Sequence, residues 1–331
     1  MQRSKVHDIT LRNMEHAVTH TGSIAVAVIS QVLSDVFSHL AKDSSVPNAL
    51  FQTSSRNVSE SFPLEVTMAW WSERFWVIVD LWCMAWLVYA VVSLFKRNAL
   101  GPESCNPEIH PPAFFFIWTL INIARMCSMP LWDRHDIFGA VFLDWTLPVL
   151  SFNMLSMSYS NLDKHRAQLV GSNRNVIWWT RYLTQNGLAL FAWWTLLKAM
   201  VGFGIMLKYK AGVSDPLVST VVLTVLSLFS ATWFILQSFL LTKHMRYTFT
   251  VYPILILGLG AMFTRSYRIH DLATNTIYCG FLMLLMTIMS MIQLISTCLH
   301  TDKPSKPAAI EPRVWHTDLR SDDFKMDLCK Q

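Results

Sequence analysis

The chain has 331 residues, of which 53% are hydrophobic and only 15% are charged, and it contains 14 tryptophans. This composition is typical of a protein that lies in lipid, and it excludes an ordinary water-soluble domain. The formal net charge of +5 is small. Because the Lys and Arg residues gather in connections between apolar runs, we attribute this charge to membrane topology rather than to nucleic-acid binding.

The first element in chain order lies near residues 22–40 and has the sequence GSIAVAVISQVLSDVFSHL. Apolar residues recur there at helical spacing, while serines, Asp35 and His39 occupy the other face. The pattern predicts an amphipathic helix, with a short additional membrane span as the alternative. The segment lacks the charged start, compact apolar core and cleavage site of a secretory signal, so we expect no cleaved leader.

About seven apolar runs follow, each close to the ~20 residues that cross the hydrocarbon core of a bilayer. They lie near residues 74–95, 113–131, 137–158, 183–207, 216–241, 247–264 and 275–298. Unpaired amide groups cannot be left in hydrocarbon, and the sequence lacks the alternation of a membrane barrel, so each run is predicted to be a helix. The sequence therefore predicts an all-α, polytopic transmembrane helix bundle.

Three regions follow from these runs. Residues 1–73 form an N-terminal region that ends in an extracytoplasmic loop, and residues 74–298 form the transmembrane bundle. Residues 299–331 mix Lys, Asp and Pro with few apolar side chains, which predicts a disordered cytoplasmic tail.

The distribution of Lys and Arg predicts the orientation. The connection 159–182 carries four of them, whereas the turn 132–136 carries Arg134 alone. Since positive loops stay in the cytoplasm, 159–182 is predicted to be cytoplasmic and 41–73 to lie outside. A glycosylation sequon that begins at Asn57 agrees with this orientation.

Arg125 raises a separate question, because it lies inside the apolar run HPPAFFFIWTLINIARMCSMPLWDR. Arg125 and Asp144 are about equally far from the hairpin turn near Arg134, so we expect them to lie at similar depth and to pair. Asp80 and Lys198 also fall in the outer halves of their spans. The four charges predict a net-neutral cluster around a small wet cavity that opens outward.

A structural interpretation of the same residues stays open. Arg125 and Asp144 could serve as a staple between two helices, while Asp80 and Lys198 extend their charged ends to the membrane surface. Trp118, with Phe114, Phe115 and Phe116, lies deeper; it could line a cavity for a flat apolar ligand or take part in ordinary helix packing.

Three stretches in the second to fourth spans carry a family resemblance: HPPAFFFIWTLI, LPVLSFNML and RYLTQNGLALFAWWTLL. This order resembles the translocator protein and tryptophan-rich sensory protein group, and most of all an extended animal branch of multi-pass proteins with additional C-terminal helices. The resemblance implies a five-helix bundle extended by further helices, with a pocket for tetrapyrroles, sterols or other apolar ligands. It assigns Pro112, Trp118 and Asn153 to that pocket.

Three classes of function compete. A protein that binds or transports a small apolar ligand explains the charged cluster and the resemblance, and we favour it. A membrane scaffold or signalling subunit without its own ligand is the alternative. We find no positioned nucleophile or acid–base set, so we do not expect an enzyme. The sequence predicts no cofactor and no metal site; the expected partners are the lipid bilayer, a small apolar ligand and a second copy of the chain in a homo-oligomer.

Overall fold

Helices make up almost all of the regular structure. The computed structural model describes residues 2–42, 50–98, 101–102, 107–267 and 273–299, and only the backbone at 2–14, 97–98, 101–102 and 172. The helices are α1 (Gln2–Lys42), α2 (Ser55–Ser61), α3 (Phe75–Phe95), α4 (Pro112–Asp133), α5 (Ile137–Ser172), α6 (Arg174–Trp179), α7 (Asn186–Tyr209), α8 (Asp215–Ile235), α9 (Thr242–Met245), α10 (Val251–Ser266) and α11 (Thr274–Leu299). The predicted all-α bundle is confirmed.

Shorter elements join these helices. A 3-10 turn, Trp70–Arg74, leads into α3, and π-helical turns at Thr180–Gln185 and Leu236–Leu240 continue α6 and α8. Two strands of two residues, β1 (Arg97–Asn98) and β2 (Gly101–Pro102), pair antiparallel after α3. The tail from residue 300, for which we predict disorder, lies outside the described residues, as do residues 43–49 of the predicted outer loop.

Seven helical stretches among the described residues are long and apolar enough to cross a membrane, so the chain is a multi-pass integral membrane protein. The number agrees with the sequence, but the set of helices differs. The first stretch is Glu15–Lys42, within α1. The predicted span 247–264 corresponds to α10, whose 16 residues extend about 24 Å, less than the ~30 Å of a hydrocarbon core.

Helix α1 is amphipathic, but its polar face is buried and its apolar face is exposed, which is the reverse of a helix at the surface of a soluble protein. Its apolar side chains at Val26, Ile29, Val32, Leu33 and Val36 are exposed. Its polar side chains pack inward against α3 and α4, and they include Ser23, Ser30, Gln31 and Ser34. Since lipid is the solvent at this depth, a helix with apolar residues outward and polar residues inward is a membrane span at the edge of the bundle.

The connection 159–182, predicted as a loop, is mostly helical. Helix α5 continues to Ser172, and α6 begins two residues later. The apolar stretch of α5, Ile137–Gly171, has 35 residues and a length of about 52 Å, so it continues well beyond the hydrocarbon core. The charged residues that end a hydropathic run are good helix formers, and the helix therefore does not stop where the membrane does.

Helix α7 lies at the centre of the bundle. It packs against α3, α5, α8 and α10, and most of its residues, including Trp193 and Trp194, are buried. Small residues permit this close packing: a Cβ at Gly187 would lie 2.7 Å from the Trp82 indole, and one at Gly204 3.1 Å from Val222. A helix that is apolar all round is expected at such a position.

Residues 50–74 cover one end of the bundle, which we call the outer end; the opposite end is the inner end. The Asp133 carboxylate at the end of α4 accepts hydrogen bonds from the backbone amides of Gln52 (2.7 Å) and Thr53 (2.8 Å). The Phe62 ring packs edge-on against Trp132 and Tyr209. The segment is thus fastened to the helix ends rather than free in solvent.

We predict that residues 50–61 lie outside and that the α5–α6 region and the N-terminus of α1 lie in the cytoplasm. Single cysteines at Glu60 and Ala167, both exposed, in a chain whose six native cysteines are replaced, test this in intact cells. An impermeant thiol reagent should label Glu60→Cys directly and Ala167→Cys only after permeabilisation. Labelling of Ala167→Cys in intact cells contradicts the orientation.

Candidate functional site

Arg125 is 4% exposed and forms two hydrogen bonds with one carboxylate. Its Nη1 donates to Asp80 Oδ1 at 2.8 Å and its Nη2 to Asp80 Oδ2 at 3.0 Å. A second carboxylate, Asp35 on α1, lies 3.6 Å from Nη1, and the Trp76 ring lies 4.4 Å from the guanidinium carbon. The planar guanidinium therefore joins α1, α3 and α4 through two acids and an aromatic face.

The predicted pairing of Arg125 with Asp144 is wrong. The Asp144 carboxylate accepts a hydrogen bond from the Trp132 indole at 2.8 Å instead. Equal distance from the hairpin turn sets a similar depth, but it does not set the direction in which a side chain leaves its helix. Arg125 continues the face of Trp118 and Asn122, which contacts α3 and α1.

Lys198 has a partner that the sequence analysis did not include. Its Nζ donates to Glu73 Oε1 at 3.0 Å, and it lies 5.4 Å from the centroid of the Trp76 ring. Trp76 thus contacts two cations, Arg125 and Lys198, and links the α4 charge to the α7 charge. Both cations are thus paired with acids of the segment 73–80, Arg125 with Asp80 and Lys198 with Glu73.

A cavity of about 220 Å³ lies at the outer end, among α1, α4, α5, α7 and residues 50–74, which we call the covering segment. We call it the outer cavity. Its charged lining residues are Lys42, Glu73, Arg125, Asp133, Asp144 and Lys198. Its aromatic walls are Phe51, Phe62, Trp76 and Trp132. Of the four residues for which the sequence predicts a polar cavity, Arg125, Asp144 and Lys198 line it. Asp80 is not a lining residue and contacts Arg125 from behind the wall.

Three charged groups of the outer cavity have no ion-pair partner among the described residues. One of them, Asp133, accepts three hydrogen bonds from Gln52 and Thr53; the other two are Lys42 and Asp144. Lys42, the last residue of α1, is exposed at the cavity. Asp144 bonds the neutral Trp132 indole. Since an isolated charge near hydrocarbon costs several kcal/mol unless it is paired or hydrated, the half-buried Asp144 calls for a polar partner, whereas the exposed Lys42 is hydrated and is available to one.

The residues assigned through the family resemblance lie elsewhere. Pro112 begins α4 at the inner end. Trp118 is fully buried, and its ring packs on those of Trp86 (5.1 Å) and Phe191 (5.0 Å). Asn153 is exposed on α5. None of the three lines the outer cavity, so helix packing, the alternative interpretation of Trp118, describes its position better.

Asn57, the predicted glycosylation residue, lies in α2 at the outer end and is exposed. Its backbone amide bonds the Ser54 hydroxyl that caps this helix. The side chain is therefore accessible at the end of the bundle where glycosylation is predicted.

The sequence analysis missed Glu73 and Lys42 and left Asp35 on a solvent-facing surface. Glu73 follows two tryptophans at a helix start, a position that looked like an ordinary membrane boundary. The better evidence for Glu73 was that Lys198, inside an apolar span, requires an acidic partner at its own depth. Asp35 carried the signal of an acid among apolar residues at helical spacing.

A second cavity, of about 40 Å³, lies at the inner end, and we call it the inner cavity. His20, Trp86 and His110 are among its lining residues. The His20 imidazole Nε2 lies 3.0 Å from the His110 carbonyl oxygen, and His110 Nε2 lies 3.3 Å from Ser158 Oγ. Burial, together with repulsion from His20, lowers the pKa of His110 to about 3.

Comparisons with protein-family models, with curated proteins and with solved structures gave no match to this chain. The resemblance to the translocator group therefore stays a prediction from short stretches of sequence, and the function has to be argued from the site itself.

We predict strong energetic coupling between Arg125 and Asp80. Arg125→Met and Asp80→Leu should each destabilise the protein by about 3–5 kcal/mol, because each leaves a charge buried without its partner. The double variant should be markedly more stable than the sum of the two losses. Thermal unfolding of the purified variants in detergent measures the coupling.

The matched control is Arg125→Met combined with Asp144→Leu. Since Asp144 does not pair with Arg125, the losses in this second cycle should add. Additive losses for Arg125 with Asp80, or recovery in the Asp144 cycle, contradict the assigned pairing.

We predict that His110 makes the protein less stable in acid. An unfolded histidine titrates near pH 6.5, whereas folded His110 stays neutral. The contribution of His110 to the free energy of unfolding is therefore complete above about pH 6.5 and is lost as the pH falls toward 3. The loss between pH 7 and pH 5 should be about 2 kcal/mol. His110→Gln should remove this share of the pH dependence, and His39→Gln, at an exposed position, should keep it. Equal pH dependence in wild type and His110→Gln contradicts the prediction.

Proposed function

We propose that this multi-pass membrane protein binds a small amphiphilic molecule in the outer cavity, and that the molecule carries both an ammonium and a carboxylate group. The observation that carries the proposal is the presence of two unpaired charges of opposite sign, Lys42 and Asp144, in one cavity with aromatic walls. A ligand with both charges would satisfy each of them without adding net charge to the site.

The paired charges support this assignment because they leave the unpaired ones available. Arg125 is occupied by Asp80 at 2.8 Å and Lys198 by Glu73 at 3.0 Å. These pairs hold the cavity wall in place and determine the electrostatic potential inside the cavity, so a ligand does not need to break them. Lys42 at the mouth and Asp144 on α5 are the groups with bonding capacity toward a guest.

The size and walls of the cavity support a compact guest with an apolar body. About 220 Å³ lies below the ~300–1,000 Å³ of typical drug-sized sites. Trp132 and Phe62 offer aromatic faces beside the charged groups. This combination favours an amino-acid-like molecule over the tetrapyrrole or sterol that the family resemblance implies, since those ligands are large and mostly apolar.

Three probes with the same aromatic body test the proposal: phenylalanine, phenethylamine and 3-phenylpropionate. Binding to the protein in lipid nanodiscs is measured by calorimetry and by the rise in unfolding temperature. We expect phenylalanine to stabilise most, by about 2.7 kcal/mol at a concentration a hundred times its Kd. Lys42→Met should remove the advantage of probes with a carboxylate, and Asp144→Asn the advantage of probes with an ammonium group.

Lys243→Met and Glu60→Gln, at exposed positions outside the outer cavity, serve as matched charge controls and should bind as the wild type does. Tight binding of a tetrapyrrole or sterol that neither cavity variant alters would replace the proposal with the apolar-ligand prediction. No binding of any probe, and no small molecule retained through purification, would favour the scaffold alternative.

A further inference from the structure

The inward face of α1 carries polar side chains toward both ends of the span, with one apolar interruption between Ser23 and Ser30. From the inner end they are His20, Ser23, Ser30, Gln31, Ser34, Asp35 and Ser38, and all but the half-buried Asp35 are buried. Asn122 on α4 adds to them, because its Nδ2 donates to Ser30 Oγ at 3.2 Å. We call this set, together with the Arg125–Asp80 pair, the polar seam.

The polar seam is long enough to connect the two sides of a membrane. From His20 to Lys42, along α1, the helix rises about 33 Å at 1.5 Å per residue. The hydrocarbon core of a bilayer is about 30 Å thick. The seam begins at the inner cavity, which His20 lines, and ends at the outer cavity, which Ser38 and Lys42 line.

Several polar atoms of the seam make no hydrogen bond to another described protein group. They are His20 Nδ1, Gln31 Oε1, Ser34 Oγ, Ser38 Oγ and Asn122 Oδ1. Each buried group that is left without a hydrogen bond costs about 1–3 kcal/mol, so five such atoms within one seam favour hydration there. Water that reaches them from the outer cavity would satisfy both the hydroxyl donors and the amide acceptors.

The seam has a protonatable group in its outer half. The Asp35 carboxylate accepts a hydrogen bond from Gln31 Nε2 at 2.9 Å and lies 3.6 Å from Arg125 Nη1. Asp80 holds the guanidinium with two hydrogen bonds, so Asp35 is the acid with the weaker contact. Lys42 is the next charged residue of α1 toward the outer end.

The inner half has a protonatable group of its own. His20 contacts the His110 carbonyl and packs edge-on against Phe115. Its ring lies 6.5 Å from that of His16, which is half exposed and pairs with Glu108 at 3.4 Å. His20 therefore lies between the buried seam and groups that reach the inner solvent.

A short apolar stretch separates the two halves. Between Ser23 and Ser30, the inward positions of α1 are Ile24 and Ala27, which are 1% and 0% exposed. Ile24 lines the inner cavity beside Trp86 and Phe115. The polar side chains are interrupted here by about two helical turns, or roughly 10 Å.

We propose that the polar seam is a proton pathway, with Asp35 and His20 as proton-accepting groups and with Ile24 and Ala27 as the barrier between them. A proton from water in the outer cavity adds to the Asp35 carboxylate. It passes through water held by the amides and hydroxyls of the seam as far as Ser30 and crosses the barrier at Ile24 and Ala27 when water enters it. It then adds to the imidazole of His20, which releases a proton through His16 and Glu108 to the inner solvent. Each group returns to its starting state, and one positive charge crosses the membrane. The pathway does not require a ligand in the outer cavity.

Proteoliposomes with an internal pH-sensitive dye test the proposal. A potassium gradient with valinomycin makes the interior negative and drives protons inward, and the rate of internal acidification is measured. We expect a rate above that of protein-free vesicles, lowered about tenfold or more in Asp35→Asn and in His20→Gln, since each removes an ionisable group of a proton relay. Asp35→Glu should restore the rate, which separates loss of the acid from misfolding.

Two further variants complete the test. His39→Gln lies on the same helix but at an exposed position, and it should conduct as the wild type does. Ala27→Ser places a hydroxyl in the barrier and should raise the rate. If only Ala27→Ser conducts, and Asp35→Asn in the same chain abolishes that conduction, the result still supports the pathway. Rates equal to protein-free vesicles in both wild type and Ala27→Ser, or rates that Asp35→Asn leaves unchanged, overturn it.

Discussion

A guanidinium at membrane depth must have anionic partners, and the arrangement of the outer half of the bundle follows from this constraint. Arg125 is held by Asp80 with two hydrogen bonds and faces Asp35 at 3.6 Å. Leaving such a cation in lipid costs far more than most single contacts in the bundle contribute. The three side chains therefore fix the rotation of α4 and bring α1 and α3 against the face of α4 that carries Arg125. Through this contact α1 becomes part of the bundle.

The outer cavity results from the same arrangement. Because Arg125 faces α1 and α3, Asp144 on the neighbouring helix bonds Trp132 and lines the outer cavity instead of pairing with Arg125. Lys198 takes Glu73, and Trp76 lies against both cations. The covering segment closes this space through its bonds to Asp133. Charge pairing thus builds the wall of the cavity and leaves Lys42 and Asp144 without an ion-pair partner among the described residues.

The polarity of α1 has a second consequence. In water, a helix buries its apolar stripe; in lipid, the apolar stripe faces the solvent and the polar stripe must find partners inside. On α1 those partners are few, since Ser34, Ser38 and Gln31 have polar atoms with no hydrogen bond to a described protein group. This inward-facing polar stripe extends from the histidines of the inner end to the outer cavity and is interrupted at Ile24 and Ala27.

The sequence by itself determined the class of the protein, the all-α bundle and six of the seven helical stretches that are long and apolar enough to span a membrane among the described residues, because hydropathy depends on composition and distance along the chain. Only the tertiary structure decided the partners. Two residues at equal depth can face different neighbours, since side-chain direction changes by about 100° per residue and the neighbours of each face come from distant segments. Asp80, Asp35 and Glu73 became partners of Arg125 and Lys198 for that reason. The sequence also left open which face of α1 points into the bundle, because an amphipathic pattern does not show whether the surrounding solvent is water or lipid.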